Sequence, residues 1–225
     1  MGALHRSPRI RFKGTRANQG RIGVLALNGC PKEELRVADA WARGAGREVF
    51  RVAVDGGLRA WRALGVACDL YAGDADSSSP PTGMEAARYD RDKSFSDLAG
   101  ALREVRRRAL RVVVVAGLTG GRLDHEWVNL HELAAHARHF AGMLAPTPRG
   151  WVVVTSCGVT AETRAGRTFS LLALGGRTRV DLGGARWTLR DARLGPGSRG
   201  LSNVSGKRLT LSVSSGTACL VFPER

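Results

Sequence analysis

The sequence predicts an α/β chain: an N-terminal Rossmann-like domain with a mostly parallel sheet, followed by a C-terminal all-β sandwich domain. Three observations predict it. Short apolar runs such as Val112-Val113-Val114-Val115 alternate with stretches of helical period up to about residue 140. Those runs close on glycine-rich or acidic turns, as strands feeding helices do. Beyond Ala145-Pro146-Thr147-Pro148 the helical period disappears and only short strand-like runs between glycine turns remain. The expected division is a basic, disordered tail over residues 1–20, an α/β domain over 21–148 and a β-sandwich over 149–225.

In chain order, Arg21 to Leu27 reads as a buried strand, and Pro31 suits the start of a helix. Leu35, Ala38, Trp41 and Ala42 recur at helical spacing, with Trp41 as the core anchor. Glu48 to Val54 is a second strand, closed by Asp55-Gly56-Gly57, and a helix over 58–64 stops at Gly65. A short strand over Asp69 to Ala72 then meets Gly73-Asp74-Ala75-Asp76-Ser77. Another strand is read near 87–89, and Ser96 or Asp97 caps the helix that follows. Arg111 to Ala116 is the most strand-like run, and a helix extends from its glycine turn to about Phe140. Strands are then read at 151–155, 159–163, 168–174, 178–181, 186–189, 208–213 and 217–222.

The net charge of +15 is uneven. Residues 1–21 hold six basic residues and no acid, 22–145 hold 17 basic against 16 acidic, and 146–225 hold 12 against four. The balanced middle and the lack of a basic-aromatic stripe argue against a nucleic-acid partner. No apolar run approaches the roughly 20 residues that cross a bilayer, and no signal peptide is read, so no membrane partner is expected. Cys30, Cys68, Cys157 and Cys219 are scattered without a C-x-x-C pair, which fits a reducing cytoplasm.

The acids fall where a ligand would bind. Asp55 ends one strand, Asp74 and Asp76 end the next, and Asp97 and Asp124 open helices. In an open sheet, ligands sit at the carboxyl ends of the strands. Two carboxylates two apart in an extended segment point the same way and can address one hard cation. Gathered acids need such a cation, and magnesium, which shares its oxygens between carboxylates and phosphate, suits them. Gly117-x-Thr119-Gly120-Gly121 between a strand and a helix offers free amides to an anion, with Arg122 and Lys93 to neutralise a polyphosphate. His125 and Asn129 lie four apart on one helix face beside that turn.

These motifs, in order, resemble those of the thiamine pyrophosphokinase family: Asp55-Gly56-Gly57, Gly73-Asp74-Ala75-Asp76-Ser77, Asp92-Lys93-x-x-Ser96-Asp97 and Thr119 through His125. Gly184-Ala185-Arg186-Trp187-Thr188-Leu189 and Gly200-Leu201-Ser202-Asn203 resemble its later signatures, so the likeness covers about residues 22–222. The resemblance implies transfer of a pyrophosphoryl group from ATP to the hydroxyl of thiamine, giving thiamine diphosphate and AMP. It implies a nucleotide-binding catalytic domain, a thiamine-binding sandwich, and a homodimer whose site is shared between subunits. Asp74 and Asp76 would hold magnesium, with Asp55 and Asp97 near the metal and phosphates and Lys93 beside them. Thr119, Gly120, Arg122 and Asp124 would face the nucleotide, together with Gly117 and His125 of the glycine turn. Trp187, Ser202 and Asn203 would form the acceptor pocket.

Three positions depart from the family pattern. Ala75 replaces a phenylalanine, Ser94 stands where a second acid is usual, and Trp127 stands where smaller residues are usual. Two other functions fit parts of the sequence: a related pyrophosphokinase for another alcohol such as a hydroxymethyl pterin, and a non-catalytic polyanion-binding protein acting through the basic tail.

Overall fold

A computed structural model describes residues 9–15, 20–45 and 47–224. The elements are β1 (Arg9–Phe12), β2 (Ile22–Ala26), α1 (Lys32–Gly44), β3 (Val49–Val54), α2 (Gly57–Leu64), β4 (Leu70–Gly73), β5 (Glu85–Arg88), α3 (Asp97–Arg107) and β6 (Val112–Ala116). There follow α4 (Leu123–His136), a 3-10 turn (Ala137–His139), β7 (Gly142–Thr147), β8 (Gly150–Thr155), β9 (Gly158–Glu162) and β10 (Thr168–Ala173). The chain ends with β11 (Thr178–Ala185), β12 (Leu189–Leu194), β13 (Asn203–Ser215) and β14 (Ala218–Pro223).

The expected Rossmann-like α/β domain followed by a separate sandwich is not what forms. The chain is mostly β, 40% strand against 23% helix, in one mixed sheet of 14 strands. Its order is β1-β9-β13-β10-β14-β8-β7-β6-β2-β3-β4-β5, with β11 on β13 and β12 on β11. The difference lies in residues 145–147, part of the Ala145-Pro146-Thr147-Pro148 stretch that the sequence reads as the linker between the two domains. They complete β7, whose six residues are all buried. Met143, Leu144 and Ala145 have no exposure at all, and buried backbone must find partners, which a ladder supplies. Pro146 removes one donor near the strand's end, which a ladder tolerates there.

The described residues group into two compact units: those within Ala17–Glu132 and Ala145–Pro148, and those within Met1–Arg16, Leu133–Leu144 and Arg149–Arg225. In the first, β6, β2, β3, β4 and β5 pair in parallel, so their carboxyl ends share one edge. Val24 of β2 lies between Arg51 of β3 and Val114 of β6. Helices α1 and α2 pack on each other and on β2 and β3, while α3 packs on β3 and β4. The buried tryptophan is Trp61, whose indole donates to the Val52 carbonyl at 3.0 Å, whereas Trp41 is only half-buried. Ser96 is the cap of α3, its hydroxyl accepting from the Ala99 amide at 3.1 Å. No helix joins β4 to β5; residues 74–84, which carry the acidic motif, make that crossover.

In the second unit β9, β13 and β11 form one ladder, and β10, β14 and β8 another. Trp151 and the stacked rings of Phe169 and Phe222, 6.0 Å apart, fill its core. Residues 9–12, expected in a disordered tail, are strand β1 paired antiparallel with β9. Ile10 and Phe12 are buried while Arg9 and Arg11 face out, the two-residue period of an edge strand. The rest of the expected tail at 1–8 and 16–19 lies outside the described residues. The strand expected at 186–189 begins only at Leu189, and that expected at 208–213 is the longer β13.

Asp55-Gly56-Gly57 joins β3 to α2 where side chains cannot fit. A Cβ on Gly57 would lie 1.8 Å from the Ala26 carbonyl oxygen, and one on Gly56 1.9 Å from Asn28 Oδ1. The start of α2 is thereby pressed onto the end of β2. Gly57→Ala is expected to lower stability by at least about 2 kcal/mol, because overpacking against backbone cannot relax by a rotamer change. Urea denaturation followed by tryptophan fluorescence reads this; an unchanged midpoint would contradict it.

Candidate active site

Asp55 leaves β3 with φ 46 and is almost fully buried, at 5% exposure. Its amide donates to the Ala72 carbonyl at 2.9 Å, and its own carbonyl accepts from the Ser78 hydroxyl at 2.8 Å. The Tyr71 hydroxyl lies 3.0 Å from Asp55 Oδ1 and 2.8 Å from the Ser78 carbonyl. Burial, then Asp55, raise the Tyr71 phenol above its ordinary range, so it stays a donor. A Cβ on Gly73 would come within 3.0 Å of Asp55 and of the Tyr71 hydroxyl, which explains glycine ahead of the acids.

Asp74 and Asp76 converge, though not through the extended geometry expected. Ala75 between them is left-handed, φ 65, and the Asp76 amide donates to Asp74 Oδ1 at 3.2 Å, so the segment is a turn. The Ser77 hydroxyl donates to Asp76 Oδ1 at 2.9 Å. Carboxylate oxygens of Asp55, Asp74 and Asp76 all lie within 4.8 Å of one another. Three hard oxygen donors from two loops, one of them buried, fit a magnesium-type ion. Asp97 is not among the three. Lys93 Nζ bridges it to the group, 2.9 Å from Asp74 Oδ2 and 3.2 Å from Asp97 Oδ1, with the lysine side chain only 9% exposed.

That bridge divides the acids. The hydrogen bond from Lys93 holds Asp74 below the usual carboxylate range, whereas burial pushes Asp97 above it despite the same lysine. For Lys93 burial works against the charged form, and the bonds to Asp74 and Asp97 outweigh it, leaving its value raised. Ser94, the departure from the family pattern, is exposed and takes no part in this bridge.

The glycine turn follows β6. Gly117 and Gly120 have φ 84 and 100, conformations that favour glycine. Its amides are held by carboxylates that the sequence did not single out. Gly117 donates to Glu34 Oε1, and Gly120 and Gly121 both donate to Glu126 Oε1, at 2.6 and 3.0 Å. An acid in the first turn of α4 was the only sequence signal for Glu126. Arg122 pairs with Asp124 in the open, at 2.6 and 3.1 Å, which lowers the carboxyl's value and raises the guanidinium's. His125 is exposed, while Asn129 donates to the Leu118 carbonyl at 3.3 Å. Trp127 faces outward, 65% exposed, with the His131 ring 5.6 Å away.

In the other unit Trp187 is 54% exposed, with the Arg186 guanidinium 5.1 Å from its ring centre. Asn203 is buried and its amide serves the Trp187 backbone: Nδ2 donates to the carbonyl at 2.7 Å, and Oδ1 accepts from the amide at 3.2 Å. Asn203 therefore positions Trp187. Ser202 is left-handed, φ 57, and its amide donates to the Ser170 hydroxyl at 3.2 Å.

Glu34 is buried, and its Oε2 has no hydrogen-bond partner. Burial, only partly offset by the Gly117 amide, pushes its carboxyl from 4.5 up to about 7. A carboxyl raised on folding stabilises most below its unfolded value, so this contribution is lost as pH rises from 4.5 to about 7. At about 1.4 kcal/mol per unit the loss is on the order of 3 kcal/mol. Glu34→Gln removes the titration. Its melting temperature relative to the parent should rise between pH 5 and pH 8; a difference independent of pH would contradict the assignment.

Residues 44–143 match the family model for the thiamin pyrophosphokinase catalytic domain. No curated protein matches the chain. Thiamine pyrophosphokinase from Bacillus subtilis is 18% identical over 91% of this chain and 99% of its own, with a TM-score of 0.72. Thiamin pyrophosphokinase from Geobacillus thermodenitrificans is 22% identical over 92% of this chain and 98% of its own, at 0.71. A thiamin pyrophosphokinase family protein from Enterococcus faecalis is 17% identical over 92% of this chain and 100% of its own, at 0.66. At such identities these structures establish a shared fold. The matched span holds the acidic cluster, the Lys93 bridge and the glycine turn, and over residues 44–143 the chain is similar to the thiamine pyrophosphokinase catalytic domain.

Proposed function

We propose that this chain transfers the intact pyrophosphoryl group of ATP to the hydroxyl of thiamine, giving thiamine diphosphate and AMP. The observation that carries the reading is the convergence of Asp55, Asp74 and Asp76, with Lys93 bridging Asp74 to Asp97, inside the span that matches the family. Those three acids would hold magnesium, which supplies positive charge to phosphate oxygens when bound. Lys93 keeps Asp74 ionised and fixes its direction, and it sets Asp97 beside the cluster. In the transfer the thiamine oxygen forms a bond to the β-phosphorus of ATP. The bond from that phosphorus to the oxygen bridging to AMP breaks, and the hydroxyl proton is released. Such transfers depend on positioning and charge more than on covalent chemistry, which suits a site made of fixed acids and amides.

We assign the Gly120 and Gly121 amides to a phosphate of the nucleotide, with Thr119, Arg122, Asp124 and His125 around it. The Gly117 amide is engaged by Glu34, so Gly117 shapes the turn. The exposed ring of Trp187 is a fitting partner for a cationic thiazolium or a pyrimidine, with Ser202 beside it and Asn203 acting through Trp187. We infer a homodimer with the site shared between subunits, as the resemblance implies, and a cytoplasmic setting in keeping with four free cysteines. Among the described residues no helix is long and apolar enough to cross a membrane.

An assay with ATP, magnesium and thiamine that separates AMP from ADP tests the reading. AMP and thiamine diphosphate should appear in equal amounts; ADP as the product, or no turnover, would overturn it. Asp74→Asn is expected to lower turnover at least about a thousandfold with an unchanged circular dichroism spectrum. Activity near the parent's would remove Asp74 from the metal site.

A further inference from the structure

The glycine turn is already filled by the chain itself. One carboxylate oxygen, Glu126 Oε1, accepts from both Gly120 and Gly121, at 2.6 and 3.0 Å. Glu126 lies in the first turn of α4 and reaches back over the start of its own helix. A carboxylate oxygen and a phosphate oxygen make the same demand on paired amides: an anionic acceptor in line with both N–H bonds. We propose that Glu126 is an internal stand-in for the phosphate of ATP, holding the turn in its occupied shape and leaving when the nucleotide arrives, and so sets this chain's affinity for ATP. The inference rests on assigning the turn to a nucleotide phosphate.

The two carboxylates on this turn differ in kind. Glu34 is buried, and its bond to Gly117 crosses from α1 to the end of β6, so it belongs to the packed interior. Glu126 is only half-buried, on a helix start whose neighbours Leu123, Asp124, His125 and Trp127 are all exposed. Its side chain has open solvent to swing into. A protein whose binding-competent state requires that swing binds more weakly by the fraction of time the site is open.

The alternative is that Glu126 merely caps the helix, as an acid in a first turn does. The two roles predict opposite signs. If Glu126 only caps, removing it loosens the turn and weakens nucleotide binding. If it competes, removing it strengthens binding even while the helix start loses a cap.

Calorimetric titration of the full chain with α,β-methylene-ATP and magnesium separates them, since this analogue cannot give up its pyrophosphoryl group. Glu126→Ala should bind the analogue about tenfold more tightly than the parent. Glu126→Gln, which keeps an acceptor oxygen without the charge, should fall between and decides the matter if the alanine variant folds poorly. Equal or weaker binding by both variants, with the parent binding normally, overturns this inference and leaves the proposed function standing. No binding by the parent overturns the assignment of the turn to ATP, and this inference with it.

Discussion

Lys93 is the interaction on which the site depends. Three carboxylates whose oxygens lie within 4.8 Å repel one another, and a fourth, Asp97, is close by. An ammonium group with a side chain only 9% exposed, held between Asp74 and Asp97, offsets part of that repulsion inside the fold. Asp55 is held differently, by the Tyr71 hydroxyl on its carboxylate and by the Ala72 carbonyl and Ser78 hydroxyl on its backbone. The cluster is thus preorganised by neutral donors on one side and by a cation on the other. That leaves Asp76, with the most open surroundings of the three, as the acid freest to adjust to an ion.

This arrangement requires the strand ends to be close, and glycine makes them so. Gly57 lets the start of α2 press onto Ala26, and Gly73 lets β4 deliver Asp74 against Asp55. The crossover from β4 to β5 contains no helix, so the acidic turn is the connection itself and is anchored at both ends by parallel pairing. A loop fixed in that way can hold a left-handed alanine at position 75, a conformation that costs a non-glycine residue about 1 kcal/mol or more.

Carboxylates also govern the glycine turn after β6. Every glycine amide that the turn offers at 117, 120 and 121 is engaged by a glutamate, one interior and one near the surface. In the second unit, the Arg186 guanidinium lies over the Trp187 ring and Asn203 holds the Trp187 backbone.

Much of this was legible in the sequence. The element starts and stops between residues 22 and 140 follow local signals: Gly65 is left-handed at the end of α2, and Ser96 caps α3. The acids at 55, 74 and 76 stand out because they follow apolar runs, and Asp97 because it opens a helix, patterns that local chemistry writes directly. What the sequence could not determine is where the strands go. Residues 145–147 look like a linker because prolines punctuate, yet a buried apolar strand there continues one sheet, and burial is a property of the whole fold. Likewise nothing local marks Glu34 or Tyr71 as partners of residues far along the chain. Residue types and spacing determine which groups are available; only tertiary packing decides which amide, carboxylate and lysine meet, because those contacts depend on distances the chain acquires when it folds.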